Sequence, residues 1–459
     1  MADLALEMIL AATQGRLLGE AAPAVFPGAS IDTRTLAAGE LFVALQAERD
    51  GHDYVAQAFS RGAGAALVSR EIAAKGPKIV VADTLQALGA IAAAHRNALD
   101  LRVIAITGSV GKTTVKDMLA AILEQGWRTL KSRGNYNTEI GVPLTLLELE
   151  ASHQAAVVEL AMRGRGQIAY LARMARPQVG VVTKIGLSHL ELLGSKDAIA
   201  ESKAELVEAL PADGAAVLNA DDEYFEVLAA RSAAPVVSFG MNDGADVRVS
   251  EVEVAPDGRL RVRLTGHLIE AEIICGAVGR HHALNIAAAA AAVVSAGAPA
   301  EWVAMGLAAY ATGEMRGRIV EAPGGYTVVD DSYNAAPDSM RAALELLADL
   351  PGHRKWAVLG DMKELGDASL EAHHELGRSV AKAGLTGLVT VGELSHHIAE
   401  GAREVGLVEV TEATDNATAA ELLAPRLATG DVVLVKGSRA MHMEEIVAAL
   451  LGREGDGHG

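Results

Sequence analysis

Cysteine is almost missing from this 459-residue chain, in which Cys275 stands alone. One thiol excludes an intramolecular disulfide and a thiol-rich metal cluster, and it suits a reducing compartment such as the cytoplasm. Basic charge is also in deficit. Lys and Arg number 40 against 59 Asp and Glu, a formal net charge of −19. No basic stripe answers a phosphate backbone, so nucleic acid is not an expected partner, and any nucleotide must meet a local positive site. No apolar run is long enough to span a bilayer, and Met1-Ala-Asp-Leu-Ala-Leu-Glu7 has acids where a signal peptide needs basic residues. Membrane insertion is therefore not expected. The alanine-rich stretch from Ile286 to Val294 is short and apolar all round, which reads as a buried helix. A short-period repeat is absent, which excludes a solenoid.

What is present is half hydrophobic, enough for several cores, and the length predicts about two to four domains. The chain is organised around Thr107-Gly108-Ser109-Val110-Gly111-Lys112-Thr113-Thr114. Arg102 to Ile106 reads as a buried strand and Val115 to Leu123 has helical apolar spacing. A glycine turn between strand and helix cradles phosphate: backbone N–H groups approach the anion, the helix dipole adds to them, Lys112 reaches the outer phosphates and Thr113 ligates magnesium. Ile106 stands where the usual spacing has its first glycine, so the loop is contracted.

Three α/β domains are expected: a small one over residues 1–98, a central phosphate-loop domain with a mostly parallel sheet over 99–314, and a doubly wound, Rossmann-like domain over 315–459. Strand-like runs at 155–160, 178–183, 215–218 and 235–239 alternate with helices. Alternation from Asp246 to Ile274 around Pro256-Asp-Gly258 predicts an appended hairpin. The tail from Gly452 to Gly459 is expected to lack structure.

Candidate groups gather at strand ends, where ligands collect in open α/β sheets. Glu159 ends one strand and His189 follows the next; a carboxylate with one imidazole suits Mg²⁺ or Mn²⁺ better than a structural zinc. Lys203 reads by default as a solvated helical lysine. The Asp221-Asp222 pair is explained by a capped turn as well as by catalysis. His281, His282 and Asn285 open the alanine-rich helix, either to read an adenine edge or to cap it. Asp32 with Arg34 reads as a surface ion pair. Arg316-Gly-Arg318 and the strand end Asp330-Asp331 bring an arginine and a carboxylate from another domain, either to ATP or to an interdomain salt bridge.

Together these residues resemble the Mur ligase family over essentially the whole chain. The resemblance rests on the contracted phosphate loop, Gly134-Asn-Tyr-Asn-Thr-Glu-Ile-Gly-Val-Pro143, His189-Leu-Glu-Leu-Leu-Gly-Ser195, Asp330-Asp-Ser-Tyr-Asn-Ala-Ala-Pro337, Val358-Leu-Gly-Asp-Met-Lys-Glu-Leu-Gly366 and Lys436-Gly-Ser-Arg439. It implies an ATP-dependent amide ligase of peptidoglycan precursor synthesis, cytoplasmic and monomeric, with UDP-MurNAc-tripeptide and D-Ala-D-Ala as substrates. It further implies that Gly108 to Thr114, Asn285, Arg318, Asp331 and Asn334 contact ATP. Asp32, Thr33, Arg34, Asn137, Lys436, Ser438 and Arg439 would bind substrate. Two magnesium ions would be held by Thr113, Glu159, His189 and Lys203 as a carbamate, leaving Lys112, His189 and Lys203 as the catalytic set. Ala161, Lys184 and Ala336 depart from the family pattern, and it stays open whether Lys184 bears on the metal site or points outward. The Asp-Asn-Pro-Arg signature of the ligase that adds the third amino acid is absent. So is an Asn-Lys-x-Asp guanine signature, which weighs against a GTP switch. A small-molecule kinase would share the phosphate loop but form no amide.

Overall fold

Strand Arg102–Thr107 lies inside a nine-stranded sheet, and its burial explains its β-branched composition. The computed structural model describes residues 3–255 and 259–453. From one edge the sheet order is 271–278, 259–265, 247–254, 236–240, 215–219, 179–182, 102–107, 155–159 and 129–131. The seven strands from 129–131 to 247–254 run parallel, as the alternation with helices predicts. The expected hairpin is instead a three-stranded antiparallel meander, because a second turn at Gly266 (φ +144°) returns Ala271–Val278 onto its neighbour. Pro256-Asp-Gly258 and residues 454–459 of the expected loose tail lie outside the described residues.

Helix Lys112–Leu123 buries Val115, Met118, Leu119, Ile122 and Leu123 on this sheet. Each such side chain contributes roughly 1.5–3 kcal/mol of transfer free energy. Helix His282–Ser295 packs alongside, and its fully buried run Ala287 to Ala292 lets the backbones come close. Cys275 lies in the same core, where burial pushes its thiol up to about 11. Ellman's reagent should therefore find no thiol in the native protein and one after denaturation; a fast native reaction would contradict the packing.

N-terminal to this sheet, five short strands are ordered 16–18, 78–80, 65–68, 41–43 and 29–30. Helix Thr84–Asn97, capped by Asp83, joins the two sheets: Arg96 Nε donates to the Ala175 carbonyl at 2.7 Å, and His95 Nε2 lies 2.9 Å from the Leu149 carbonyl. One continuous core runs from Leu4, Phe26, Leu41 and Leu88 to Val103, Val158, Leu171 and Leu206.

The third sheet is ordered 318–321, 327–330, 432–436, 355–360, 387–391 and 409–413. It is parallel except for its first strand and has its own cores on its two faces. Its two edge strands, Arg318–Glu321 and Glu409–Ala413, are polar and partly exposed, which blunts the alternation that marks a strand.

Candidate functional site

The phosphate loop turns at Gly108 (φ +147°) and Gly111 (φ +85°). A Cβ at Gly108 would meet Thr183 Oγ1 at 1.9 Å, and one at Gly111 would meet Asn285 Oδ1 at 2.6 Å, so both positions require glycine. The loop is braced from the next strand end: Ser109 N donates to the Lys184 carbonyl (2.7 Å), Gly186 N to Ser109 Oγ (2.9 Å), and Thr183 Oγ1 to the Val110 carbonyl (2.5 Å). Lys112 Nζ donates to the Gly108 carbonyl at 2.8 Å, folding back over the cradle. Enclosure lowers its ammonium pKa; Glu159 opposes that shift and Arg316 adds to it.

This loop floors a cavity of about 1000 Å³. Glu159, 2% exposed, accepts from Thr113 Oγ1 and from Asn137 Nδ2, both at 2.8 Å. His189 also lines the cavity, with left-handed backbone (φ +67°), and its Nδ1 lies 2.7 Å from Glu364 Oε2 of the third sheet's loop. The imidazole beside it holds the Glu364 carboxyl below the usual range. A hydroxyl, a buried carboxylate and an imidazole around one floor are a donor set that fits Mg²⁺ or Mn²⁺.

Lys203 corrects the expectation of a solvated lysine. On helix Lys196–Glu208 it is 2% exposed and has no ion-pair or hydrogen-bond partner among the described residues. Desolvation lowers its pKa well below the ordinary value, with the charge of Lys112 adding to the effect. Neighbouring Glu205 instead caps the helix Gln167–Ala175 through Gly166 N and Ala169 N. Asp221 and Asp222 accept from backbone N–H groups of Met241, Asn242, Ile185 and Tyr224, a structural turn.

Two other walls complete the cavity. Asn285, His281 and His282 stand at the start of the alanine-rich helix, and Asn285 Nδ2 lies 3.1 Å from His282 Nδ1. Burial holds His282 well below the usual imidazole range. From the third sheet come Asp331, Asn334 and Lys436; Lys436 Nζ donates to Asp331 Oδ2 (2.5 Å) and to the Asn334 carbonyl (2.9 Å). Lys184 lies 3.5 Å from Asp338 across the same gap, so it faces the cavity.

Arg318 is not brought into this cavity. It is exposed on an edge strand opposite Asp330, whereas Arg316 lines the cavity with its guanidinium 3.9 Å from the Tyr333 ring centre. Positive φ at Met315 (+58°) and Gly317 (+74°) makes the turn that separates them. Ser438 and Arg439 lie outside the lining as well: Ser438 Oγ accepts from Lys363 N, and Arg439 pairs with Glu444 at 2.6 Å. Asp32 and Arg34 form an exposed ion pair at 2.8 Å, and Thr33 bonds Gln57; of this stretch only Ile31 reaches the cavity. Spacing gives no hint of Arg316 over Arg318 or of Glu364, because both depend on where a second sheet is docked.

A phosphate loop whose pocket is completed by side chains of a separate Rossmann-like sheet defines a class, the phosphate-loop α/β proteins that bring a nucleotide against a second reactant. Residues 106–293 match the Mur ligase middle domain and residues 315–439 the Mur ligase, glutamate ligase domain. The chain is 37% identical to the UDP-N-acetylmuramoyl-tripeptide–D-alanyl-D-alanine ligase of Escherichia coli, over 98% of this chain and 99% of that one. A crystal structure of MurF from Acinetobacter baumannii superposes with a TM-score of 0.90 at 32% identity, covering 98% and 99% of the two chains. MurF from Thermotoga maritima, solved with ADP, gives 0.83 at 29% identity over 93% and 97%. The chain belongs to the Mur ligase family.

Proposed function

We propose that this chain is an ATP-dependent carboxylate–amine ligase that joins D-Ala-D-Ala to UDP-MurNAc-tripeptide, releasing ADP and phosphate. One observation carries the reading: the phosphate loop and Glu159 face, across a single cavity, the side chains Asp331, Asn334 and Lys436 of another sheet. Relatives at 36–37% identity that bear this activity in their names, and the ADP complex of MurF from Thermotoga maritima, support it.

A carboxylate is a poor electrophile, so the terminal carboxylate of the tripeptide attacks the γ-phosphorus of ATP and ADP leaves. The dipeptide amine then attacks the acyl carbon of the acyl phosphate, and phosphate departs from the tetrahedral intermediate. Positioning and charge neutralisation account for most of such catalysis. Lys112 neutralises the outer phosphates and the loop N–H groups orient them. Asn285 holds the base side of the nucleotide, while Asp331 and Asn334, with Arg316 in place of the exposed Arg318, close over it. Asn137 and Lys436 face the acceptor substrate, and residues 32–34, with Ser438 and Arg439, border its two ends. Thr113, Glu159 and His189 would hold magnesium, which when bound supplies positive charge against the crowded phosphate and carboxylate oxygens.

Lys203 is the residue to carry a carbamate. Desolvation favours its free amine, which adds to the carbon of CO₂ and loses a proton; the resulting anion would be an oxygen ligand for a second magnesium ion. ATP consumption with a single cysteine, Cys275, supports action in the cytoplasm, and we take the chain to act as a monomer. No helix among the described residues is long and apolar enough to cross a membrane.

The test is to incubate the full chain with ATP, Mg²⁺, D-Ala-D-Ala and either the diaminopimelate- or the lysine-containing UDP-muramyl tripeptide, then weigh the product. A pentapeptide with stoichiometric ADP is expected. A phosphorylated product formed without the amine would indicate a kinase, and hydrolysis indifferent to both substrates a nucleotide switch.

A further inference from the structure

Two residues in left-handed backbone meet where the nine-stranded and third sheets face each other. His189 (φ +67°) follows strand Val179–Val182, Glu364 (φ +66°) follows strand Lys355–Gly360, and His189 Nδ1 lies 2.7 Å from Glu364 Oε2. Neither is glycine, although glycine is the relaxed occupant of such conformations. Side chains kept at two strained positions that touch point to a role for the contact. The seam around them is tight: Glu191 N donates to the Glu364 carbonyl at 3.2 Å, a Cβ on Gly366 would sit 3.3 Å from Glu191 Cα, and Leu187 packs into the third sheet's core. His189 Nδ1 is buried, and its short contact with Glu364 departs from the alignment of a full hydrogen bond. An imidazole–carboxylate pair that aligns only once its ligand is bound has this geometry.

We propose that Glu364 is a positioning residue for the metal site: by accepting from His189 Nδ1–H it fixes the tautomer and leaves Nε2 as the lone pair offered to the cation. The inference rests on the reading of His189 as a metal ligand. Carboxylates commonly orient metal-binding imidazoles in this way. Here the carboxylate arrives from a different sheet than the imidazole. Docking of the third sheet therefore sets the affinity of the floor for its cation, and a nucleotide–metal pair is held hardest when the cavity is assembled.

The experiment titrates Mn²⁺ into the full chain with saturating AMP-PNP, reading free Mn²⁺ by electron paramagnetic resonance. Glu364→Gly should weaken the His189-dependent Mn²⁺ about tenfold. It should not lower the melting temperature, because glycine relaxes the left-handed turn; a purely structural role would leave Mn²⁺ binding unmoved. His189→Ala should weaken the same ion at least as much, and His189→Ala with Glu364→Gly should be no weaker than His189→Ala alone. Native-like Mn²⁺ binding by Glu364→Gly overturns the proposal. So does a double variant weaker than His189→Ala, which would make Glu364 an independent ligand. If His189→Ala itself binds Mn²⁺ normally, the metal-ligand reading of His189 fails instead, a separate result.

Discussion

Lys112→Ala is expected to cut the turnover of ligation by about 10²–10³-fold, the cost of removing one preorganised positive group from a site where charge accumulates. The Michaelis constant for the muramyl substrate should change far less, because Lys112 Nζ lies over the Gly108 carbonyl of the phosphate loop. The loss thus falls on the transition state of phosphoryl transfer, where the attacking carboxylate, the γ-phosphoryl group and the leaving ADP crowd negative charge together. Initial rates of ADP release, with each substrate varied in turn, separate the two constants. Near-native phosphate release that still requires both substrates would contradict the assignment of Lys112.

Lys203→Met should raise stability and abolish most activity at once. In CO₂-depleted buffer the native chain holds a buried amine with no partner, and an apolar side chain of similar length removes that penalty, roughly 1–3 kcal/mol for an unsatisfied buried polar group. That corresponds to a melting temperature higher by several degrees, at about 2–4 °C per kcal/mol for a large domain. The sign with pH follows from the depressed pKa of Lys203. Below its ordinary value of about 10.4, and above its lowered folded value, the unfolded chain binds more protons than the folded one. Native stability therefore rises with pH, and the advantage of Lys203→Met is larger at pH 6 than at pH 9. Calorimetry at the two pH values reads this directly. Ligation should fall at least about 100-fold, since methionine cannot carry a carbamate that ligates metal. A variant that melts lower in CO₂-depleted buffer and ligates normally would contradict both the burial argument and the role of Lys203.

The parts of the site that are legible in the sequence are those whose chemistry needs contiguous residues. A phosphate cradle must be strand, glycine turn and helix in that order, and Thr107 to Thr114 with its flanks can be read as little else. Glu159 and His189 are legible at one remove, because ligands gather at strand ends and both follow apolar runs. Lys203 reads as solvated because its helix carries acids and lysines on a weakly amphipathic face, whereas its burial is set by neighbouring elements. The choice between Arg316 and Arg318 depends on two positive-φ residues flanking Arg316, one of them a methionine that gives no warning. The pairing of His189 with Glu364 joins residues 175 positions apart, with no spacing rule between them. The meander in place of a hairpin comes from a turn at Gly266, whose Cβ would lie 2.2 Å from the Asp246 carbonyl oxygen, a tertiary constraint.

The unbroken apolar interior shared by the five-stranded and nine-stranded sheets has a mechanical corollary. With Arg96 and His95 fastening the helix Thr84–Asn97 to the elements around the nine-stranded sheet, these two thirds of the molecule share one packed interior. If residues 32–34 take the uridine end of the substrate, as proposed, that shared interior sets the distance from there to the phosphate loop. The third sheet instead meets that interior along a seam, with the cavity between them, so the cavity's width is set by how the third sheet is seated.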